Sequence, residues 1–128
     1  MATRPWSSVT EDAAPALHCE IAVTGMQILA PIGAHRHERG RLQPLVLEIR
    51  LTIEPPECDA LAAAFDYHRV AALAERVAER HVVLIETFAR ELAASLLLER
   101  HVVAAEVRVE KRWALANGVA SARVAMRR

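Results

Sequence analysis

Apolar and polar residues alternate along several stretches of the chain. The clearest run has Leu47, Ile49, Leu51 and Ile53 interleaved with Glu48, Arg50, Thr52 and Glu54, and Pro55-Pro56 ends it. A period of two marks a strand with one buried and one wet face, as in an antiparallel sheet covered on one side. An earlier strand is predicted from Leu17, with Ile21 and Val23 on one face and Glu20 and Thr24 on the other. A turn-rich loop from Pro31 to Gly40 follows it. Alternation returns late in the chain. There Val107 and Val109 oppose Glu106, Arg108 and Glu110, and Ala122, Val124 and Met126 oppose Arg123 and Arg127.

The middle of the chain is helical. From Asp66, a residue suited to an N-cap, Val70, Leu73, Val77 and His81 recur at helical spacing. A second helix is predicted from about Leu84 to Arg100, with Ile85, Phe88, Leu92 and Leu96 on one stripe. The order β-β-α-α-β-β predicts an α+β domain, with two helices on one face of a four-stranded antiparallel sheet. Residues 1–16 read as a flexible lead-in and residues 17–128 as one domain.

Composition narrows the function. With 128 residues and 53% hydrophobic side chains, the chain can build one core and is not a disordered protein. Sixteen Lys and Arg balance sixteen Asp and Glu. Zero net charge argues against an electrostatic binder of nucleic acid or membrane, and it suits a protein that self-assembles. Residues 1–16 hold no apolar run of a signal peptide, and no later stretch is long enough to cross a bilayer. Cys19 and Cys58 lack CxxC partners, which suits reduced thiols in a cytoplasm.

Fifteen arginines accompany a single lysine, Lys111, and a single tyrosine, Tyr67. An ammonium can give up its proton where a guanidinium cannot, so the retained lysine is a candidate for proton transfer. The plain alternative is a residue that merely flanks a strand end. Glu86 sits in the first turn of the second helix among apolar neighbours, where the helix dipole favours a carboxylate with two oxygens to offer. Ordinary dipole compensation would explain it equally. His35 and His37, with His81 and His101 elsewhere, invite a zinc reading, but no third ligand stands at ligand spacing, and no metal is assigned. GxGxxG, P-loop, HExxH and GxSxG motifs are all absent, so no nucleotide cofactor is expected.

Four stretches, taken in order, resemble the dihydroneopterin aldolase family from about Leu17 to Arg127. They are Ile32-Gly33-Ala34-His35-Arg36-His37-Glu38 followed by Gln43; Asp66-Tyr67 with Val70; Leu84-Ile85-Glu86-Thr87; and Val107-Arg108-Val109-Glu110-Lys111. The lone lysine and the lone tyrosine fall on the family's two acid–base positions. Two features depart from the pattern. Arg112 stands where the family usually has proline, and Ala114-Leu115 is similar to the sister family, dihydroneopterin triphosphate 2′-epimerase.

The resemblance implies the tunnelling fold and a retro-aldol reaction that needs no cofactor and no metal. A base takes the proton of the 2′-hydroxyl of 7,8-dihydroneopterin, the C1′–C2′ bond breaks, and glycolaldehyde leaves. The electrons pass into the ring's C6=N5 bond, leaving 6-hydroxymethyl-7,8-dihydropterin, a folate precursor, after protonation. By position in the family, Lys111 transfers the proton through a bound water, Tyr67 assists, and Glu38 orients hydroxyls or that water. Glu86 anchors the pterin's N–H pair, with backbone contacts at Phe65 and Ile85. The alternatives are an epimerase acting on dihydroneopterin or its triphosphate, for which Arg36, Arg39, Arg41 and Arg112 could form a cationic rim, and a non-catalytic pterin-binding protein. The family also implies four subunits joined in a ring, two rings stacked as a homo-octamer, and sites between subunits.

Overall fold

The computed structural model describes residues 15–128. Most of the lead-in expected over residues 1–16 therefore lies outside the described residues. Four strands form one antiparallel sheet in the order β1-β2-β3-β4: β1 Cys19–Pro31, β2 Leu42–Ile53, β3 Val102–Lys111 and β4 Ala120–Arg127. Two helices, α1 His68–Val77 and α2 Ile85–Leu97, connect β2 to β3. Both cover the same face of the sheet, α2 across β3 and β4 and α1 beside α2 towards β1. The predicted α+β layering holds.

The buried rows follow the sequence periods. Leu45, Leu47, Ile49, Leu51 and Ile53 from β2 and Ala105, Val107 and Val109 from β3 face Phe88, Ala89, Leu92 and Leu96 of α2. Each large side chain removed from water contributes about 1.5–3 kcal/mol, so this layer dominates the stability of the fold. The opposite sheet face carries paired charges. Arg50 lies opposite Glu106 and Glu48 opposite Arg108 across β2 and β3, and Arg123 of β4 bonds Glu106. Opposite charges at facing positions favour this register.

Two helix ends differ from the sequence expectation, and β1 holds a bulge. β1 reaches Pro31, where the turn-rich loop is expected, and a bulge between Val23 and Met26, with Gly25 at φ +70°, shifts the phase of alternation. Cys19, Ile21 and Val23 face the core before it, and Met26, Ile28 and Ala30 after it. The first helix stops at Val77, and His81 lies in the extended segment beyond rather than on the helical stripe. The second helix ends at Leu97, and His101, at φ +73°, turns the chain into β3. The N-cap position of the first helix falls on Tyr67 rather than Asp66, whose Oδ1 accepts the backbone N–H of His68 at 3.0 Å. Two Arg–Glu pairs, Arg69 with Glu99 and Arg80 with Glu91, tie the antiparallel helices together on their exposed side.

Candidate active site

The inward rows of β2 and β3 are apolar until they reach one end of the sheet. Followed backwards, the β2 row that contains Leu47 and Leu45 arrives at Gln43. Followed forwards, the β3 row of Val107 and Val109 arrives at Lys111. Val46 pairs with Glu110, so the antiparallel register brings the two row ends together. An amide and an ammonium thus stand where the pleat would otherwise place core residues.

Glu38 meets them there. It ends a short 3-10 turn, Arg36–Glu38, and is the one charged side chain buried among the described residues, at 6% exposure. Lys111 Nζ donates to its Oε2. Gln43 Nε2 donates to the same oxygen at 3.0 Å and to the Ile32 carbonyl at 2.6 Å, and the His35 backbone N–H donates to Oε1 at 3.1 Å. The Lys111 hydrogen bond foremost, then those of Gln43 and His35, pull the Glu38 carboxyl from 4.5 down to about 2, against the opposing effect of burial. Glu38 is therefore a carboxylate across the working pH range.

The loop that carries Glu38 is held from the other side of the chain. Val82 N–H donates to the Pro31 carbonyl at 3.0 Å, Gly33 N–H to the Val82 carbonyl at 3.1 Å, and His81 Nε2 to the Gly33 carbonyl at 2.9 Å. Gly33 has φ +140°, and a Cβ built on it would run into the Glu38 carboxyl group. Glycine is needed here both for its backbone conformation and for the space it leaves.

A cavity of about 660 Å³ opens over the pair, lined by His35, His37, Arg41, Leu42, Gln43, Pro44, Trp113 and Leu115 among others. Its size is that of a small-molecule site. In a shallower depression on the polar sheet face, Glu20, Arg50 and Glu106 are each paired to a neighbour.

Of the residues expected from sequence, Lys111 and Glu38 come together. Tyr67, 58% exposed and stacked on His68, and Glu86, exposed on the first turn of α2, do not line this cavity. Ile85 is half-buried beside Glu86, and the Phe65 side chain belongs to the core. Gln43 entered the sequence reading only as a motif position; its clamp on Glu38 becomes visible once the β2 row is traced to its end. His35 and His37 stack with ring centres 5.7 Å apart, and no group of three or more His, Cys, Asp or Glu among the described residues is placed to hold a metal ion.

Comparison with known proteins turns this geometry into a family assignment. The sequence profile of dihydroneopterin aldolase (FolB) matches residues 21–127. The chain belongs to the dihydroneopterin aldolase family. The aldolase activity comes with that membership. Solved structures agree on the tunnelling fold. Dihydroneopterin aldolase (FolB) from Vibrio cholerae superposes with a TM-score of 0.79 at 22% identity, covering 86% of this chain and 98% of that one. The Escherichia coli enzyme in complex with neopterin gives 0.75 at 22% identity, with 86% and 98% covered. The Burkholderia thailandensis enzyme bound to guanine gives 0.75 at 23% identity, with 87% and 92% covered. A search of curated protein sequences gives no match. No helix among the described residues is long and apolar enough to cross a membrane.

Proposed function

We propose that this chain cleaves 7,8-dihydroneopterin with the Lys111–Glu38 pair as its proton-transfer centre. The observation that carries the reading is the buried ion pair at the end of the sheet, open to a cavity of small-molecule size. Lys111 moves the proton of the substrate's 2′-hydroxyl by way of a bound water. Glu38, fixed as a carboxylate by three donors, holds Lys111 in place and orients that water or the hydroxyls. When C1′–C2′ breaks, the electrons enter the pterin ring, and the carbon left behind takes a proton. Tyr67 assists that return.

Glu86 is the pterin anchor in this reading. Its two oxygens match the flat donor pair of the pterin's amino group and ring N–H, and Ile85 and Phe65 add backbone contacts. Neopterin and guanine, which occupy related structures, both present such an edge.

Tyr67 and Glu86 complete the site from a neighbouring subunit. Support comes from the apolar surface on both halves: Leu42, Trp113 and Leu115 stand exposed beside Lys111, and Val83 and Leu84 beside Glu86. The open edges of β1 and β4 suit a ring of four subunits, two of which would stack as an octamer. We place the enzyme in the cytoplasm, where the free thiols of Cys19 and Cys58 stay reduced.

The direct test is to incubate purified protein with dihydroneopterin and resolve the products. Glycolaldehyde and 6-hydroxymethyl-7,8-dihydropterin support cleavage; the 2′-epimer alone would make the chain an epimerase. Binding without turnover would leave only a pterin-binding protein.

A further inference from the structure

His81 has no part in the proton transfer described above, yet its ring ends on the loop that carries Glu38. The imidazole is half-buried in the segment beyond α1, and its Nε2 lies 2.9 Å from the Gly33 carbonyl. A carbonyl oxygen only accepts, so the bond places a ring proton on Nε2. Among the described residues, His81 belongs to no group of three or more His, Cys, Asp or Glu placed to hold a metal ion. Its ring is engaged with the backbone instead.

Three successive carbonyls lead from β1 into that loop, and each has a donor from elsewhere in the chain. Pro31 accepts from the Val82 N–H at 3.0 Å, Ile32 from Gln43 Nε2 at 2.6 Å, and Gly33 from His81. Gly33 is a buried residue, so losing this donor leaves its carbonyl short of a partner. The placing of Gly33 in turn sets that of the carboxylate. The Glu38 side chain occupies the space a Cβ on Gly33 would fill, and the His35 N–H, just beyond, donates to Glu38 Oε1 at 3.1 Å. Rotation of the Gly33 peptide would move both contacts, and Lys111 would no longer meet a fixed oxygen.

We propose that His81 is a positioning residue for the reaction: by donating to the Gly33 carbonyl, it holds the loop in the conformation that aligns Glu38 with Lys111. The proposal rests on the proton-transfer reading above. It adds a residue that lies outside the cavity and bonds neither member of the pair. What His81 supplies is one N–H at the right reach, so its effect belongs to the chemical step and not to the hold on the pterin ring.

His81→Gln and His81→Met test this as a matched pair, since the two side chains are alike in length and only glutamine carries the N–H. Turnover of dihydroneopterin and affinity for a pterin product analogue are measured for both variants and the wild type. In His81→Met, kcat should fall by roughly 10–100-fold, the scale of a misplaced catalytic group, while Kd for the analogue stays within about twofold. His81→Gln should recover most of the lost turnover. Near-normal kcat in His81→Met, or an equal fall in His81→Gln, overturns the positioning role. A His81→Met protein that does not assemble also overturns it, because the bond is then a requirement of folding. So does a loss of affinity that matches the loss of kcat. If the wild type does not cleave dihydroneopterin, the proton-transfer reading itself fails, and the positioning role with it.

Discussion

Lys111 at the end of β3 donates a hydrogen bond to Glu38, a residue 73 positions earlier in a loop, and both side chains are largely withdrawn from water. A buried ion pair is a costly way to stabilise a protein, because both charges must leave their hydration shells. Here a cavity opens over the pair and an amide and a backbone N–H support it. The arrangement holds Glu38 as a carboxylate at the edge of the cavity.

Acid should expose the Glu38 contribution directly. Its folded-state pKa is depressed from 4.5 to about 2, so the stability it provides is present in full above the ordinary value and is lost as pH falls from about 4.5 towards 2. Glu38→Gln removes this linkage. Thermal unfolding followed from pH 6 down to pH 2 should show the wild type losing its advantage over the variant across that window. At pH 6 the variant should be less stable by roughly 2–4 kcal/mol, since Lys111 is left buried without its partner. Parallel pH profiles of the two proteins would contradict the assignment.

Gly33→Ala should disturb the site through shape alone. The added methyl group has to displace the Glu38 carboxyl or the loop that bears it, and the backbone is in a region that favours glycine. Such overpacking costs about 1–3 kcal/mol, or several degrees in Tm. Turnover should fall further than stability predicts, because Glu38 no longer aligns with Lys111. Calorimetry beside steady-state kinetics checks both, and full turnover in the variant would show that Glu38 has room the structure does not give it.

The layering of the fold was legible because the buried rows keep their periods. Leu47 to Ile53 and Phe88 to Leu96 declare strand and helix without help from distant residues. The reading broke where distant contacts took over. Alternation in β1 loses its phase at the Gly25 bulge, so the period of two is visible only as far as Thr24. His81 kept helical spacing, yet the chain leaves the helix after Val77 so that Val82 can pair with Ile32 and Gly33, some 50 residues away. In the site, the lone lysine marked itself by composition. Glu38 was reached only through the family pattern, since its loop has no periodicity and its partner is remote. No contact among the described residues joins Tyr67 or Glu86 to that pair, so tracing the strand rows to their ends reaches neither.

Glu86→Gln should separate binding from chemistry. An amide offers one acceptor where the pterin edge presents two donors, and the neutral side chain loses the charge assistance, a combined cost of roughly 2–4 kcal/mol. Fluorescence titration with a pterin product analogue should therefore show a much higher Kd. Affinity equal to that of the wild type would remove Glu86 from the anchor role.

The most direct measurement is the turnover of Lys111→Arg. The substitution keeps the positive charge opposite Glu38 and removes the capacity to act as a base near neutral pH. A lysine with only a structural role should accept the change, in a chain that uses arginine at every other cationic position. Size-exclusion chromatography first establishes that the variant assembles as the wild type does, and pterin titration that it still binds. Turnover of dihydroneopterin should then be lower by roughly 10²–10⁴-fold, the usual share of general acid–base catalysis. Near-normal turnover in a correctly assembled Lys111→Arg protein would contradict proton transfer at Lys111.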